Sequence, residues 1–410
     1  MAKVEFLKCV KCGQKYSPKD VEYYCPSCGP EGTLDVLYDY NQIKSVFTKE
    51  NLKAKAEYSL WRYNDLLPVE CKPDILNMQV GWTPLYKSQR LEQALGLDFV
   101  YIKDDGRNPT ASFKDRASAI GVAKAIELHK QIMCAASTGN AASSLSGFAA
   151  CAGIPSYIFV PATAPTAKIT QLLIYGANVI LVDGTYDEAF EVCLQASEEF
   201  GWYNRSCAVN PYLVEGKKTV AFELMEQLNW EVPDWVVMSV GDGCCISGAW
   251  KGFTEMHELG LIDRLPKMLG VQAAMSNPVN RAFRENKNSF DYIKPETLAD
   301  SISVGIPRNG LKALRALRES SGDVVDVLDI EILDAMKQMA RLTGVFGEPA
   351  GVTGLAGLRK MVKQNKIKQN EKVVLVVTGN GLKDVKSAMS AVNTPITIQP
   401  SLEDLKKYLL

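Results

Sequence analysis

The segment Asn108-Pro-Thr-Ala-Ser-Phe-Lys-Asp-Arg116 joins a short apolar run at residues 99–102 to a helical pattern at residues 115–129. Lys114 therefore falls in the first turn of the predicted helix. The positive end of a helix dipole disfavours an ammonium group, and desolvation would lower the pKa of this lysine further. An amine with a lowered pKa suits covalent chemistry on carbonyl compounds. A first-turn lysine taken alone is usually a solvated residue, so its function depends on the neighbouring motifs.

The same arrangement, an apolar run followed by a helical pattern, repeats along the chain. The predicted strands are 99–102, 132–136, 157–160, 179–182, 235–240 and 373–377. The predicted helices are 115–129, 141–152, 166–175, 186–200, 247–259 and 351–363. This alternation favours an α/β fold with open, twisted, mostly parallel sheets, and the number of units calls for more than one sheet. Ligands of such folds bind at the carboxyl ends of the strands.

Three more loops at such strand ends have unusual sequences. Cys134-Ala-Ala-Ser137-Thr138-Gly139-Asn140 opens a helix with small and hydroxylic residues, which leave backbone N–H groups free for an anion. Gly241-Asp242-Gly243-Cys244-Cys245-Ile-Ser247-Gly248 opens another and has the form of a phosphate cradle. It matches neither GxxxxGK[ST] nor GxGxxG, so it does not indicate a nucleotide. Val377-Thr378-Gly379-Asn380-Gly381 ends the last predicted strand.

Two CxxC pairs lie near the N-terminus, Cys9-Val-Lys-Cys12 and Cys25-Pro-Ser-Cys28, and a glycine follows each pair. Each turn can point two thiolates at one spot, and four thiolates complete a tetrahedral zinc site with no position left for water. The spacing therefore predicts a structural zinc knuckle over residues 1–35. The alternative is four reduced thiols without a metal. A redox CxxC is disfavoured because such motifs begin helices, whereas both pairs are expected in turns.

The composition excludes several functional classes. The chain has 410 residues, with 46 basic and 47 acidic side chains, eleven cysteines and two histidines. The formal net charge of −1 argues against nucleic-acid binding, and no apolar run is long enough for a membrane span. The absence of a secretory segment and the odd number of cysteines predict a cytoplasmic protein with reduced thiols. With so few histidines, proton transfer is expected to use Lys, Asp, Glu, Tyr, a cofactor or a metal.

Further motifs lie in a characteristic order along the chain. They are Ser59-Leu-Trp-Arg-Tyr63, Gly81-Trp-Thr-Pro-Leu85, Asn108–Arg116, Ser137-Thr-Gly-Asn140, Asn210-Pro211 with Glu215-Gly-Lys-Lys-Thr219, the glycine loop, Glu348-Pro-Ala350 and Thr378-Gly379. Each motif alone is weak, but their order and spacing together resemble the threonine synthases, a family of pyridoxal-phosphate (PLP) enzymes of fold type II. Many of these enzymes also carry the four-cysteine knuckle.

The resemblance implies a fold like that of the tryptophan synthase β chain, and commonly a homodimer. A large PLP-binding domain would comprise residues 36–110 and 215–410. A small α/β domain at 111–214 would be interleaved within it.

The resemblance also implies roles for individual residues. Lys114 would attach covalently to PLP and later move protons, Asn140 would bind the 3′-oxygen, and Thr378 would face the pyridine nitrogen. The cofactor phosphate would be held by the amides of Gly241, Asp242, Gly243, Cys244 and Cys245. The amino-acid substrate would be bound by Ser112, Ser137 and Thr138, with Arg107 and Arg116 as candidate cations. The implied reaction converts O-phosphohomoserine and water to threonine and phosphate.

The sequence departs from the family pattern where the leaving phosphate is expected. The family's STGNT ends here in Ala141, and its NPYR-x-EGQKT has Leu213 in place of the arginine. Cys245 stands where the glycine loop often has a second asparagine, and Ala111 and Ala117 replace customary glycines. A charge-assisted contact contributes about 1.5–3 kcal/mol, and Leu213 cannot supply one. Candidate compensating cations are Lys103, Arg107, Arg116, Lys217 and Lys218.

Three functions remain open from the sequence. The first is a threonine synthase-like reaction. The second is a β-replacement or elimination, such as cysteate synthesis from O-phosphoserine and sulfite, or deamination of serine or threonine. Ala141, Leu213 and Cys245 favour the second function, whereas the knuckle and the motif order favour the first. The third is a zinc-ribbon protein with an inactive PLP domain that serves binding or regulation, which the intact Lys114, Asn140 and Thr378 disfavour.

Overall fold

Three β-sheets organise the chain in a computed structural model that describes residues 4–207 and 209–409. The strands are β1 Val4–Cys9, β2 Lys15–Tyr16, β3 Leu34–Tyr38, β4 Leu85–Lys87, β5 Phe99–Asp104, β6 Met133–Ala136, β7 Ser156–Pro161, β8 Asn178–Val182, β9 Tyr203–Asn204, β10 Trp235–Ser239, β11 Lys267–Ala273, β12 Asp323–Val327 and β13 Lys372–Val377.

Helices separate most of these strands. They are α1 Tyr40–Lys44, α2 Lys49–Ala54, α3 Gln89–Leu95, α4 Lys114–Glu127, α5 Asn140–Ala152, α6 Thr166–Ile174, α7 Tyr186–Glu199, α8 Tyr212–Lys217, α9 Thr219–Gln227, α10 Cys244–Glu258, α11 Pro278–Arg284, α12 Gly310–Glu319, α13 Asp329–Thr343, α14 Pro349–Lys363, α15 Val385–Ser390 and α16 Leu402–Leu409. Within the two described ranges, no helix is both long enough and apolar enough to cross a membrane.

The largest sheet has six strands in the order β12-β11-β10-β13-β5-β4. Its neighbouring strands are parallel except for β4, which runs antiparallel to β5 at the edge. Every residue of β10 and β13 is buried, because helices cover both faces of the sheet. This burial explains why both segments are continuous apolar runs in the sequence rather than alternating patterns.

A second sheet has four parallel strands in the order β8-β7-β6-β9. Its strands lie within residues 111–214, the range expected for the small domain. Buried residues of both sheets, such as Ile158 and Val236, belong to one hydrophobic core cluster. The two mostly parallel sheets confirm the predicted α/β architecture, whereas the domain boundaries stay a prediction.

The six predicted strands and six predicted helices all form. Their ends agree within two residues except at α10, which begins at Cys244 rather than at residue 247. Gly243 there adopts a left-handed φ of 90° and the helix begins directly after it. The strands β11 and β12, which complete the edge of the large sheet, were not predicted from the sequence.

The third sheet, β2-β1-β3, is antiparallel, and the N-terminal cysteine pairs lie at the end of β1 and in the connections between its strands. Several side-chain contacts join it to the rest of the protein, and two are representative. The Tyr38 hydroxyl donates a hydrogen bond to Glu215 of α8 at 2.7 Å, and Lys312 of α12 pairs with Asp35 at 3.1 Å. This small sheet is therefore packed against helices of the α/β core.

Candidate functional site

A cavity of about 810 Å³ opens where strands of the two parallel sheets end. Its walls include residues after β6, such as Ser137, residues after β10, such as Gly241, and Thr378 after β13. These positions are carboxyl ends of parallel strands, as expected for a ligand site in this architecture. The loops that the sequence analysis selected therefore meet at one place.

Lys114 is the first residue of α4 and lines this cavity. Its loop is held against the loop after β13 by two backbone hydrogen bonds, from Phe113 N to Thr378 O at 2.8 Å and from Asn380 N to Ala111 O at 3.0 Å. The Lys114 Nζ lies 3.8 Å from Cys245 Sγ. The lysine and Thr378 are thus fixed on neighbouring backbone segments.

The glycine loop fits a phosphate group. A Cβ on Gly243 would lie 2.8 Å from Ala313 Cβ, and one on Gly241 would lie 3.0 Å from Ile302 Cα, so the loop can keep this path only with glycine. No side chain caps α10, which leaves the first N–H groups of the helix for a ligand. The Ser247 hydroxyl is buried, and no described residue forms a hydrogen bond with it. An orphaned hydroxyl beside free amides is a suitable partner for a phosphate oxygen.

Hydroxyl and amide side chains surround the start of α5. Ser137, Thr138 and Asn140 all line the cavity at this helix N-terminus, and Thr378 contributes its hydroxyl to the same cavity. The positive end of the helix dipole favours an anion such as a carboxylate here. The structure thus brings these four predicted residues together around one cavity.

Glu348 is a residue for which the sequence analysis assigned no role. It precedes α14 and is 5% exposed, and Asn140 Nδ2 donates a hydrogen bond to its Oε1 at 2.7 Å. Burial raises the pKa of Glu348 to about 7, against the opposing charges of Lys114 and Lys383. The motif Glu348-Pro-Ala350 was visible in the sequence, but its contact with Asn140 spans 208 positions.

Arg116 does not face the cavity, contrary to the expectation that it binds substrate. Its guanidinium is completely buried and donates to Asp105 and Glu223, with Nε 2.6 Å from Asp105 Oδ2. Lys103 pairs with the same Glu223 at 2.7 Å. These cations neutralise buried carboxylates, so their donors are not available for a ligand.

Two other expected substrate residues also lie outside the cavity lining. Arg107 is exposed and is the last residue of the short 3-10 helix Asp105–Arg107. Ser112 is fully buried, pairs with Gly379 in an isolated β-bridge and accepts a hydrogen bond from the backbone N–H of Lys114 at 3.4 Å. Ser112 therefore supports the lysine loop, and neither residue is placed to contact a ligand directly.

Two adjacent lysines have opposite surroundings. Lys218 lies between Glu215 and Glu255, at 2.7 Å from each, inside the core. Lys217 lines the cavity and is the only one of the five candidate compensating cations that does so in the described structure.

The structure adds a second cation, Arg205, which follows β9 and donates to the backbone oxygen of Lys114 at 3.1 Å. Arg205 was missed because the two-residue strand before it gives no sequence signal.

The residues that depart from the family pattern are divided between cavity and core. Ala141 and Cys245 line the cavity. Leu213 is fully buried between α8 and α4, where a Cβ on Gly121 would lie 2.6 Å from Leu213 Cδ2. Leu213 therefore contributes to helix packing and leaves no cation at its position.

The N-terminal cysteines form a second candidate site. The sulfur atoms of Cys9, Cys12, Cys25 and Cys28 all lie within 4.8 Å of one another. Backbone N–H groups of Lys11 and Cys12 point at Cys9 Sγ, at 3.4 and 3.5 Å. Four converging sulfurs with N–H donors behind them are chemically suited to a tetrahedral soft-metal site.

Comparisons with known proteins agree with this geometry. The sequence profile of the pyridoxal-phosphate-dependent enzymes matches residues 76–379. The threonine synthases of Methanocaldococcus jannaschii and Methanosarcina acetivorans are each 41% identical to this chain, over 98% of this chain and 98% of their own length.

A solved structure shows the same fold at lower identity. Threonine deaminase isoform 2 from Solanum lycopersicum superposes with a TM-score of 0.65 at 23% identity, covering 76% of this chain and 87% of that chain. The family profile covers most of the chain, and the relatives match it almost end to end. The chain therefore belongs to the pyridoxal-phosphate-dependent enzymes of fold type II, in the family of the threonine synthases.

Proposed function

We propose that this protein is a PLP-dependent lyase that converts O-phosphohomoserine and water to threonine and phosphate. The observation that supports it most strongly is the convergence of Lys114, the glycine loop and Thr378 on one cavity. The identity of 41% to threonine synthases over nearly the whole chain supports the same reaction.

The chain offers a suitable group for each part of the cofactor. Lys114 would bind it covalently, Asn140 would hold its ring oxygen, and Thr378 would face the ring nitrogen. The amides of Gly241 to Cys245, with the Ser247 hydroxyl, would hold its phosphate. When bound, PLP withdraws electrons from the substrate and so makes protons beside the amino group acidic. The Thr378 hydroxyl is neutral and, unlike a carboxylate, does not hold a proton on the ring nitrogen.

Substrate binding would use the start of α5 and the cations of the cavity wall. Ser137 and Thr138, with the helix N-terminus, would bind the α-carboxylate. Lys114 would hold and move the substrate protons at Nζ, because the histidines of this chain, His129 and His257, are exposed and do not line the cavity. The buried cations Arg205 and Lys217 would attract an anionic leaving group to their part of the wall.

A second candidate is β-replacement or elimination on another amino acid, such as O-phosphoserine with sulfite, or serine or threonine alone. It is favoured by the position of Leu213, which packs in the core and leaves the family's arginine without a replacement at that position. Ala141 and Cys245 also remove two polar groups from the cavity wall.

The decisive experiment combines cofactor binding with a substrate panel. Purified protein with PLP is expected to be yellow, and Lys114→Ala is expected to lose the visible absorbance of the bound cofactor. Lys53→Gln, on the exposed side of α2, is a matched lysine control. A colourless wild-type protein at saturating PLP would contradict both candidate functions.

The panel then compares O-phosphohomoserine, O-phosphoserine with sulfite, serine and threonine, with phosphate and keto acid as products. Threonine and phosphate from O-phosphohomoserine support the first proposal. No phosphate from that substrate, with turnover of another, would establish the second candidate instead.

We also propose that Cys9, Cys12, Cys25 and Cys28 bind one structural zinc ion, on the basis of their mutual distances.

A homodimer in the cytoplasm stays a prediction, which light scattering of the purified protein and fractionation of cells can test. The division into residues 1–35, 36–110 with 215–410, and 111–214 is likewise a proposal, which limited proteolysis can test.

A further inference from the structure

Lys217 is a buried cation that forms no ion pair with any carboxylate among residues 4–207 and 209–409. It is the last residue of α8, is 1% exposed and lines the cavity. Burial alone would lower the pKa of Lys217, but in the described structure the neighbouring cysteines, Cys207 foremost, raise it above its ordinary value. A buried ammonium group requires a negative partner nearby. The adjacent Lys218, held between two glutamates, shows how this chain otherwise meets that requirement.

Cys207 is placed to be that negative partner. It follows β9, lines the cavity, and its Sγ lies 3.8 Å from Arg205 Nη1. A hydrogen bond from the Cys244 thiol, together with the charges of Lys217 and Arg205, holds the pKa of Cys207 well below its ordinary value despite burial. Two buried cations thus face one thiol, and a thiolate flanked by cations is the reactive form of cysteine.

Cys244 completes an asymmetric pair. It is the first residue of α10, and its Sγ accepts a hydrogen bond from Asn309 Nδ2 at 3.0 Å. The same amide donates to the backbone oxygen of Cys207 at 2.9 Å, so Asn309 holds the two cysteine segments together. The hydrogen bond to Cys207 and burial raise the pKa of Cys244 well above its ordinary value, and Asp242 adds to the shift. The two thiols therefore form an asymmetric pair, with the pKa of Cys207 lowered and the pKa of Cys244 raised.

The charged and titratable groups around the pair come from each neighbouring element. Lys217 belongs to α8, Arg205 to the segment after β9, Asp242 to the glycine loop and Cys245 to α10. Lys114 of α4 reaches the same group through Cys245 Sγ. Lys217 lowers the pKa of both thiols, whereas Arg205 acts on Cys207 and Asp242 acts on Cys244. These charges add to the asymmetry that the hydrogen bond between the two thiols creates.

We propose that Cys207 and Cys244 are a thiol-modification site inside the cavity, at which Cys207 attacks small disulfides and Cys244 closes an internal disulfide. In the first step the Cys207 thiolate attacks one sulfur of a disulfide such as oxidised glutathione. The reagent's S–S bond breaks, a mixed disulfide forms on Cys207 and one thiolate leaves. Cys244 then loses its proton and attacks Cys207 Sγ, which releases the second thiol. Two protein thiols are oxidised and one reagent disulfide is reduced.

The bond would connect the cavity wall after β9 to the first residue of α10. The amides at that helix start are the proposed contacts of the cofactor phosphate. The disulfide would also convert the Cys207 thiolate, the proposed negative partner of Lys217, into an uncharged sulfur. Oxidation is therefore expected to weaken PLP binding, and a reducing agent is expected to restore it.

The first test measures alkylation of each cysteine by iodoacetamide at pH 6.5, with peptide mass spectrometry on the PLP-loaded full chain. Cys207 is expected to react faster than Cys71, an exposed reference in the same molecule. Lys217→Gln is expected to raise the pKa of Cys207 and so slow its alkylation, by about tenfold for each unit by which that pKa comes to exceed the assay pH of 6.5. Lys53→Gln should leave the rate unchanged. Equal rates in wild type and Lys217→Gln would overturn the ion pair and would assign Lys217 to an external anion instead.

The second test uses oxidised glutathione and disulfide mapping. The wild type is expected to yield a Cys207–Cys244 disulfide, Cys244→Ser a glutathione adduct on Cys207, and Cys207→Ser neither product. The visible absorbance of bound PLP should fall on oxidation and return with dithiothreitol. A bond from Cys207 to Cys245, or no reaction at Cys207, would overturn the proposal. The alkylation and mapping readouts do not depend on catalysis, so they are independent of which substrate the enzyme uses.

Discussion

The Asn140 side chain donates a 2.7 Å hydrogen bond to Glu348 Oε1 and so joins the start of α5 to the start of α14. Asn140 follows a strand of the four-stranded sheet, and Glu348 lies beside the end of β13 in the six-stranded sheet, with its backbone N–H 2.9 Å from Gly379 O. A buried carboxyl group thus connects the two halves of the cavity.

The buried carboxyl group of Glu348 is expected to make the stability of the folded protein depend on pH. Burial raises the pKa of Glu348 to about 7 from an ordinary value of 4.5, so between these values the folded protein holds a proton that the unfolded chain releases. The free energy of unfolding should therefore fall as the pH rises from about 4.5 to 7, by about 3 kcal/mol from this group. Glu348→Gln should remove this fall, as measured by urea denaturation of the cofactor-free chain at pH 5 and pH 8.

Glu50→Gln on α2, an exposed glutamate, is the matched control and should keep the wild-type pH dependence. If Glu348→Gln and Glu50→Gln showed the same pH profile, the carboxyl group of Glu348 would be ionised throughout that range.

Alanine substitutions at Arg116 and Arg107 are expected to differ in their effect on the free energy of unfolding, although both residues lie in or beside the lysine motif. Arg116→Ala would leave Asp105 and Glu223 buried with Lys103 as their remaining cation. Breaking such a buried network is expected to lower the free energy of unfolding by about 3–5 kcal/mol. Arg107→Ala, on the surface, should change it by less than about 0.5 kcal/mol. Denaturant unfolding of both variants checks this, and a mild effect of Arg116→Ala would mean that water or a rearrangement compensates the carboxylates.

Substitution by glycine is expected to change the free energy of unfolding in opposite directions at Ala111 and at Ala117. Ala111 has a φ of 64°, in the left-handed region where a Cβ is disfavoured, whereas Ala117 lies buried within α4. Ala111→Gly should therefore raise the free energy of unfolding by about 0.5–1 kcal/mol, since relief of strain exceeds the entropy cost of glycine. Ala117→Gly should lower it by about 1 kcal/mol or more. Thermal unfolding of the two variants measures the signs, and a shared sign would contradict the backbone argument.

The sequence predicted the central strands because burial on both faces makes them continuous apolar runs. β10 and β13 are of this kind, and the loops after them carry the small residues that mark the site. β11 was missed although it is just as buried, because no distinctive loop followed it. The short β9 gives no pattern at all, and Arg205 was missed with it.

The sequence could not distinguish Lys217 from Lys218. Consecutive helical residues point about 100° apart, and only the packing of α8 decides which one meets the cavity. Gly248 of α10 allows this approach, since a Cβ there would lie 2.7 Å from Lys217 Cβ. The partners of the two lysines, thiols in one case and glutamates in the other, come from distant parts of the chain.

Substitution of the cysteines of the knuckle is expected to remove the bound metal and, with it, the ordered structure of the N-terminal segment. β1, β2 and β3 form a sheet of only three short strands, and small units with little core of their own are commonly stabilised by a metal ion. Cys9→Ser with Cys12→Ser removes two of the four thiolates, so the protein should lose one equivalent of zinc, measured by atomic emission. The peptide bonds of residues 4–38 should become sensitive to limited proteolysis in the same variant.

Cys71→Ser is the matched control, because Cys71 is exposed and lies outside the cluster. It should keep both the zinc and the protease resistance. The α/β core should remain folded in the double variant, since contacts such as the Tyr38–Glu215 hydrogen bond join the small sheet to that core without forming its centre. Zinc content that is unchanged by the double substitution would exclude these four cysteines as the metal site.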